Sequence, residues 1–251
     1  MEIITSMKNP RVTLWRSLKR TADRRENGLF LVEGDKSVAE ALDSGFEAEA
    51  VLLDADRPLP ESLPPDLPLV QMPGHVLAAV CDTKTPQGIA AVMRMKPRPV
   101  TGRRIAALDG VQDPGNVGTI IRTADAAGLD GVLLSADCAD PYGPKVLRAT
   151  MGSIFHLPVE VTEDLPGRLN EWKERRIPIL SSQLDGSPFD AWKDSGEGFV
   201  LVIGSEGNGV SDPVRALATE HLRLPMRGKA ESLNAAVAAG IMMYALMKDQ
   251  P

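Results

Sequence analysis

Cysteine is scarce. Cys81 and Cys138 are the two thiols in 251 residues, far apart, with no CxxC spacing and no histidine pair beside them. That excludes a disulfide framework and a thiolate metal site from the expectations, and the pair reads as buried, reduced thiols of a cytoplasmic protein. No apolar stretch approaches the roughly twenty residues needed to cross a bilayer, so no membrane partner is expected. The opening MEIITSMKNPRVTLWRSLKR lacks the basic-then-apolar order of a secretory signal. Internal repeats and low-complexity tracts are missing too. Positive charge is not in excess: 28 Lys and Arg face 34 Asp and Glu, a net charge of −6. Such a balance argues against a protein that coats nucleic acid indiscriminately.

What is present is a globular composition, 43% hydrophobic and 25% charged, in a chain long enough for two domains. The positive charge is unevenly spread. KNPRVTLWRSLKRTADRR (8–25) carries Lys8, Arg11, Arg16, Lys19, Arg20, Arg24 and Arg25 against a lone Asp23, and RMKPRPVTGRR (94–104) is basic as well. These runs are either solvated faces or two anchors for a polyanion on an otherwise acidic protein.

Spacing predicts an α/β organisation in two parts. Residues 9–26 suit one helix, with Val12, Trp15, Leu18 and Ala22 near one face. LFLVEG (29–34), AEAVLLDA and GIAAVMRM (88–95) read as strands, with a helix between the first two closed by Gly45. The prolines of DRPLPESLPPDLPL mark a surface loop. Residues 1–95 thus form a small α/β domain, and 96–103 a linker. From 104 to 251 the alternation is more regular. RIAALDG, GVLLS, IPILSS and FVLVIG are apolar runs of strand length, separated by helical stretches at 116–128, 143–151 and 164–175. Continuous apolar strands between helices indicate a parallel sheet covered on both faces. HLRLPM (221–226) adds a last short strand. SLNAAVAAGIMMYALM (232–247) is a terminal helix with Leu233, Val237, Ile241 and Tyr244 at the spacing of a buried stripe.

Three stretches break local rules in ways that suggest a site. In LDGVQDPGNVGTIIRTADAAG (108–128), Pro114 and Gly115 make a turn and Asn116 is placed to cap the next helix. Val117, Ile120, Ile121, Ala124 and Gly128 share that helix's core face, whereas Arg122 projects away from it, free for chemistry or for a surface pair with Asp125. LVIGSEGNGVS (201–211) is an apolar strand that breaks into glycine, with Glu206 in the turn. A phosphate, a cofactor or only the next turn of the protein could approach the backbone there. In LRLPMRGKAESLNAAVAAG (222–240), Ser232 is a candidate cap and Asn234 falls inside the helix, where its propensity is poor.

Together NVGTIIRTADAAG, LVIGSEGNGVS and LRLPMRGKAESLNAAVAAG resemble the three motifs of the SpoU (TrmH-like) RNA ribose methyltransferases of the SPOUT superfamily, in order and over roughly residues 104–247. MKNPRVTLWRSLKR and FLVEG look like the ribosomal-protein-type RNA-binding domain that often precedes such a catalytic domain. The resemblance implies a C-terminal parallel-sheet domain tied in a deep trefoil knot, a bound S-adenosylmethionine, and a homodimer formed through that domain. It implies cofactor contacts from Gly204, Leu224 and Leu233, and no metal. It places Arg122 at the reacting hydroxyl, as base or as electrostatic clamp, with Asn116, Glu206, Ser232 and Asn234 orienting Arg122 and the ribose. RNA anchoring is expected from Arg16, Lys19, Arg20 and Arg24. The implied substrate is large-subunit ribosomal RNA. Transfer RNA, a base nitrogen as target, or a non-catalytic RNA-binding module are the alternatives.

Overall fold

A strand that is apolar at every position must be covered on both sides, and the two halves of this chain solve that requirement separately. The computed structural model describes residues 1–60, 63–193 and 196–248; residues 61–62 of the proline-rich loop lie outside that set. The chain divides into two compact units, Met1–Pro97 with Tyr142–Phe155, and Arg98–Pro141 with His156–Pro251.

The first unit runs β1 (Glu2–Ile3), α1 (Pro10–Ser17), α2 (Thr21–Asn27), β2 (Leu29–Glu33), α3 (Asp35–Asp43), β3 (Ala48–Asp54), β4 (Leu69–Met72), α4 (Gly74–Val80) and β5 (Ile89–Arg94). The strands form one mixed sheet in the order β1-β4-β3-β5-β2. Period-two alternation sorts its side chains. Leu29, Leu31, Ala50 and Leu52 pack with Val12, Trp15 and Leu18 of the α1 region and with Val76 and Leu77 of α4. Phe30 points to the other face, where it meets Phe46 and Tyr142, and Phe46 in turn meets Phe155. Those contacts seat residues 142–155 in the first unit, although the helical pattern at 143–151 reads in sequence as part of the second half.

The helix expected over 9–26 is two helices. Arg24 is 2% exposed and turns back to donate to the Leu18 carbonyl (2.7 Å) and the Thr21 hydroxyl (2.9 Å). It thereby satisfies a carbonyl at the C-terminus of α1, where helices leave acceptors orphaned. Ala22, expected on the buried face, is exposed as a result of the break.

The second unit contains β6 (Arg104–Asp109), α5 (Pro114–Ala127) and β7 (Gly131–Ser135), and after α6 (Pro144–Thr150) and α7 (Ser153–His156) it continues through β8 (Val159–Thr162), α8 (Leu165–Glu174), β9 (Ile179–Pro188), a short 3-10 turn (Phe189–Ala191), β10 (Phe199–Gly204), α9 (Asp212–Arg215), β11 (Glu220–Arg223) and α10 (Ala235–Met247). Its sheet is parallel throughout, in the order β11-β9-β10-β6-β7-β8. Leu165, Leu169 and Trp172 of α8 and Val214 of α9 pack with Ile105, Ala107, Ile179, Val200 and Val202 of the sheet. α5 packs on α10 as a parallel pair: Gly240 faces Thr123 midway, and Gly128 faces Met247 at the C-terminal ends. The chain reverses its direction of growth across the sheet between β6 and β10. In open α/β sheets, ligands bind in the crevice beyond the strand ends at such a point.

Residues 100–103 are not a free linker. Val100 is fully buried, and Glu160 accepts from its amide (2.7 Å) while Arg168 donates to its carbonyl (2.8 Å) and to Glu160. Trp172 donates to the Gly102 carbonyl at 2.9 Å. Burial pushes the Glu160 carboxyl up, but the Arg168 hydrogen bonds, the Val100 amide and the Arg168 charge overcome this and hold it below the usual range.

The stripe expected to be buried on the last helix faces outward. Val237 is 50% exposed, Ile241 41%, Tyr244 56% and Leu233 41%, whereas Ala236, Ala239, Met242, Met243 and Leu246 are buried. The helix is apolar nearly all round, so periodicity could not choose its inner face; the small residues Ala236, Ala239 and Gly240 give the closer approach to α5. Among the described residues, no helix is long and apolar enough to cross a membrane.

Candidate active site

Three loops meet beyond the C-terminal ends of β6 and β10. The first opens α5. Its N-cap is Asp113, whose carboxylate accepts from the Asn116 amide (2.8 Å), with Pro114 at the first helical position. Asn116, expected to be the cap, is instead in the first turn; proline is favoured one residue after a cap because its missing N–H costs nothing there. Its side chain is thereby released for other partners.

The second loop follows β10. Ser205 and Gly209 exchange backbone hydrogen bonds (3.0 and 2.9 Å), and the Asn208 amide donates to the Ser205 hydroxyl (3.1 Å). A Cβ at Gly204 would lie 2.0 Å from the Gly209 carbonyl carbon and 2.2 Å from the Val210 nitrogen. What approaches the Gly204 backbone is therefore the next turn of the protein itself. That turn holds Glu206 and Gly207 outward.

The third loop, 224–234, ends at α10. Asn234 does not sit inside the helix; it is the N-cap, accepting from the amides of Ala236 (2.9 Å) and Val237 (3.2 Å). Ser232, expected as the cap, is exposed two residues earlier. Asparagine at a cap needs no further explanation, but this one also donates from Nδ2 to Oδ1 of Asn116 at 2.9 Å. Asn116 Nδ2 in turn donates to the Glu206 carboxylate. The three stretches singled out in sequence thus meet in one hydrogen-bonded chain, Asn234 to Asn116 to Glu206. It joins the N-terminal ends of two parallel helices, whose dipoles place partial positive charge beside the Glu206 carboxylate.

Arg122 stands outside this chain. It is exposed two turns along α5, and among the described residues its guanidinium makes no hydrogen bond or ion pair. The surface pair with Asp125 is not formed, since Asp125 lies 3.7 Å from His156 instead. Glu206, expected to orient Arg122, holds Asn116. Leu224 is half-buried and Leu233 exposed.

The expected RNA anchors divide. Arg24 is corrected outright, because a buried guanidinium bonded to Leu18 and Thr21 cannot reach a phosphate. Lys19 donates to the carbonyls of Ala79 (3.2 Å) and Cys81 (2.6 Å) at the end of α4, and Arg20 pairs with Asp23. Arg16 is exposed without a partner among the described residues.

Sequence reasoning missed Asp109, the last residue of β6. It is 9% exposed and accepts from the Ser211 amide at 2.7 Å, tying β6 to the loop that carries Glu206. The signal was a carboxylate closing an apolar strand, RIAALD. It also missed Ser135, whose hydroxyl accepts from the Gly110 amide at 2.9 Å. Cys81 is buried, whereas Cys138 is half-buried next to Ser135. Burial pushes the Cys81 thiol up to about 12, helped by the charge of Glu33, and burial raises Cys138 too. Neither is a ready nucleophile.

Residues 103–244 match the SpoU rRNA Methylase family, and residues 9–91 match the MRM3-like substrate binding domain. The 23S rRNA (guanosine(2553)-2'-O)-methyltransferase RlmP of Bacillus subtilis (strain 168) is 40% identical over 248 residues, 98% of this chain and 99% of that protein. The 23S rRNA (uridine(2479)-2'-O)-methyltransferase of Streptomyces viridochromogenes is 32% identical over 98% of this chain and 92% of its own length. Among solved structures, the SpoU methyltransferase AviRb from Streptomyces viridochromogenes, in complex with the cofactor AdoMet, superimposes with a TM-score of 0.87 at 29% identity, covering 97% of this chain and 98% of that one. An AdoMet-bound rRNA methyltransferase from Sinorhizobium meliloti gives a TM-score of 0.87 at 29% identity over 100% and 98% of the two chains.

Proposed function

Because the chain belongs to the SpoU rRNA methylase family, we propose that it transfers a methyl group from S-adenosylmethionine to a ribose 2'-hydroxyl of large-subunit ribosomal RNA. The observation that carries this reading is the chain Asn234–Asn116–Glu206, which draws on all three motifs of the family and is made from no other part of the molecule.

The residues present fit the cofactor. Between Leu224 and Leu233 the backbone makes no hydrogen bond among the described residues, so its amides and carbonyls are free for an adenine edge. Leu224 and Met226, both half-buried, and Leu233 supply apolar walls. No atom lies within 4 Å of where a Cβ would stand on Gly207, Gly209 or Gly228, which leaves the loops open to a ligand. Gly204 lets its loop close, and in this reading its half-buried backbone adds a cofactor contact. When bound, S-adenosylmethionine supplies a methyl group already activated for displacement.

The protein's own task is to align the ribose oxygen and to lower the cost of charge on it. In this reading Arg122, which has no partner among the described residues, is the cation that meets the reacting hydroxyl. A guanidinium keeps its proton at any working pH, so Arg122 acts by hydrogen-bonding the oxygen and its neighbouring phosphate as negative charge develops. Asn116 and Asn234 fix the N-terminal ends of α5 and α10, and with them the start of the helix that carries Arg122. Ser232, exposed two residues before Asn234, hydrogen-bonds the sugar in this reading. Arg16 on the first unit contributes a phosphate contact.

The outward stripe Val237, Ile241 and Tyr244 lies on the helix that Asn234 caps. A contiguous apolar face of this kind needs a cover, and a second copy of the chain supplies it: the enzyme is a cytoplasmic homodimer with the C-terminal part of each chain in the trefoil-knotted form of its superfamily. Light scattering should give twice the chain mass, and Ile241→Glu should lower it; a fully active monomer at assay concentration would contradict the dimer.

The activity itself is tested by incubating the protein with S-adenosylmethionine and a 23S rRNA transcript, then digesting the RNA to nucleosides for mass spectrometry. A 2'-O-methylnucleoside is expected. A methylated base, or methylation of transfer RNA alone, would contradict the reading.

A further inference from the structure

The edge of the parallel sheet opposite the Asn234–Asn116–Glu206 chain carries a second concave feature. A cleft of about 220 Å³ opens where β9 and β11 begin and α8 ends. Lys173 and Arg176 stand at its rim, Ile177 and Pro178 form an apolar floor, and Trp192 and Glu220 line its sides. Among the described residues neither cation has an ion pair or a side-chain hydrogen bond. Trp15 and Trp172 are each 1% exposed, whereas Trp192 is half-buried. Its indole meets Phe199 edge-on, with ring centroids 5.9 Å apart and an interplanar angle of 81°, which fixes its plane.

Arg176 makes this more than a chance concavity. It ends α8 in a left-handed conformation, φ 59°, with the Ile177 amide donating to the Trp172 carbonyl (2.9 Å) and its own amide to the Lys173 carbonyl (2.9 Å). Glycine is the residue that this helix-ending geometry favours, because a Cβ is strained there. Here a position that would be steadier as glycine carries a guanidinium, unpaired among the described residues, at a cleft that already has one cation and one half-exposed indole. Two cations, a flat aromatic wall and an apolar floor are the chemistry that receives a phosphate with an attached base. Glu220 can accept from an exocyclic amino group of that base.

We propose that this cleft takes one nucleotide of single-stranded RNA, its base against Trp192 and its phosphate between Lys173 and Arg176, as a contact remote from the methyl-transfer site. The inference rests on the RNA-substrate reading above. It is tested by titrating the full-length protein with a 23S rRNA transcript, following tryptophan emission and, in parallel, electrophoretic mobility. RNA should change the emission, and Trp192→Phe should abolish that change while binding is still seen by mobility. The double variant Lys173→Gln, Arg176→Gly should bind the transcript about tenfold more weakly and lower the log–log salt slope by about one. Its melting temperature should not fall, since glycine relieves the left-handed backbone; a merely structural Arg176 would show wild-type RNA affinity instead. Unchanged emission with a normal mobility shift, or a double variant with wild-type affinity and slope, would overturn the cleft and leave the RNA reading standing. Guanosine monophosphate and inorganic phosphate form the control arms. If either saturates the emission change as tightly as the transcript does, the ligand is a free nucleotide or anion and the strand proposal fails. If the wild-type protein binds no RNA by either measure, the substrate reading fails and takes this one with it.

Discussion

Arg122 and Arg24 show how differently one residue type is used. Both looked like free cations in sequence, one on a helix wheel and one in a basic run. Arg24 is consumed by the Leu18 carbonyl and the Thr21 hydroxyl, whereas Arg122 is left exposed and unpaired among the described residues. No periodicity distinguishes them, because the difference lies in the turn at residues 18–20 that separates α1 from α2. Removing the Arg122 side chain should change stability by within about 1 kcal/mol, as for other exposed positions. Single-turnover methyl transfer at saturating RNA should nevertheless fall about a hundredfold or more in Arg122→Ala, the scale of losing a charge-stabilising donor. Calorimetry should show S-adenosylmethionine binding intact. Arg122→Lys keeps the charge but not the planar fork and should remain badly impaired. A near-normal rate in Arg122→Ala would remove this residue from the mechanism.

At the scale of elements, the strands were legible and the helix faces only partly so. Strand runs such as RIAALD and FVLVIG announce themselves because both faces of a parallel sheet are apolar. α5 was largely legible: Val117, Ile120, Ile121 and Ala124 are fully buried as its pattern requires, whereas Gly128, expected on the same face, is the exposed left-handed residue that ends the helix. The caps were not. Asp113 rather than Asn116 begins α5, and Asn234 rather than Ser232 begins α10, since several polar residues in a row all satisfy the local preference and tertiary partners choose among them. β8 and the clamp that α8 places on residues 100–103 also depend on distant partners. The clamp has a pH signature. Glu160 is held below its ordinary value of 4.5 in the folded protein, so its contribution is fully present above the unfolded value and is lost as pH falls through the folded one. Denaturant unfolding from pH 7 downwards should show wild-type stability dropping more steeply below about pH 4.5 than that of Glu160→Gln. Parallel pH profiles for the two proteins would mean that the carboxylate does not carry the clamp.

Across the whole molecule, the parts of the site were legible as three motifs, but their junction was not. Asn116, Glu206 and Asn234 lie as much as 118 positions apart, and nothing local indicates that their side chains form one chain. The same limit applies to residues 142–155, whose place in the first unit depends on Tyr142 meeting Phe30 and Phe155 meeting Phe46. It applies as well to the face of α10, where only packing on α5 decides which apolar residues stay outside. The measurement that tests the central claim most directly is a map of ribose methylation on large-subunit ribosomal RNA from cells with and without the gene. One 2'-O-methyl group should disappear when the gene is removed, returning with the wild-type chain and not with Arg122→Ala. An unchanged ribose map, or the loss of a base methyl group in its place, would contradict the account.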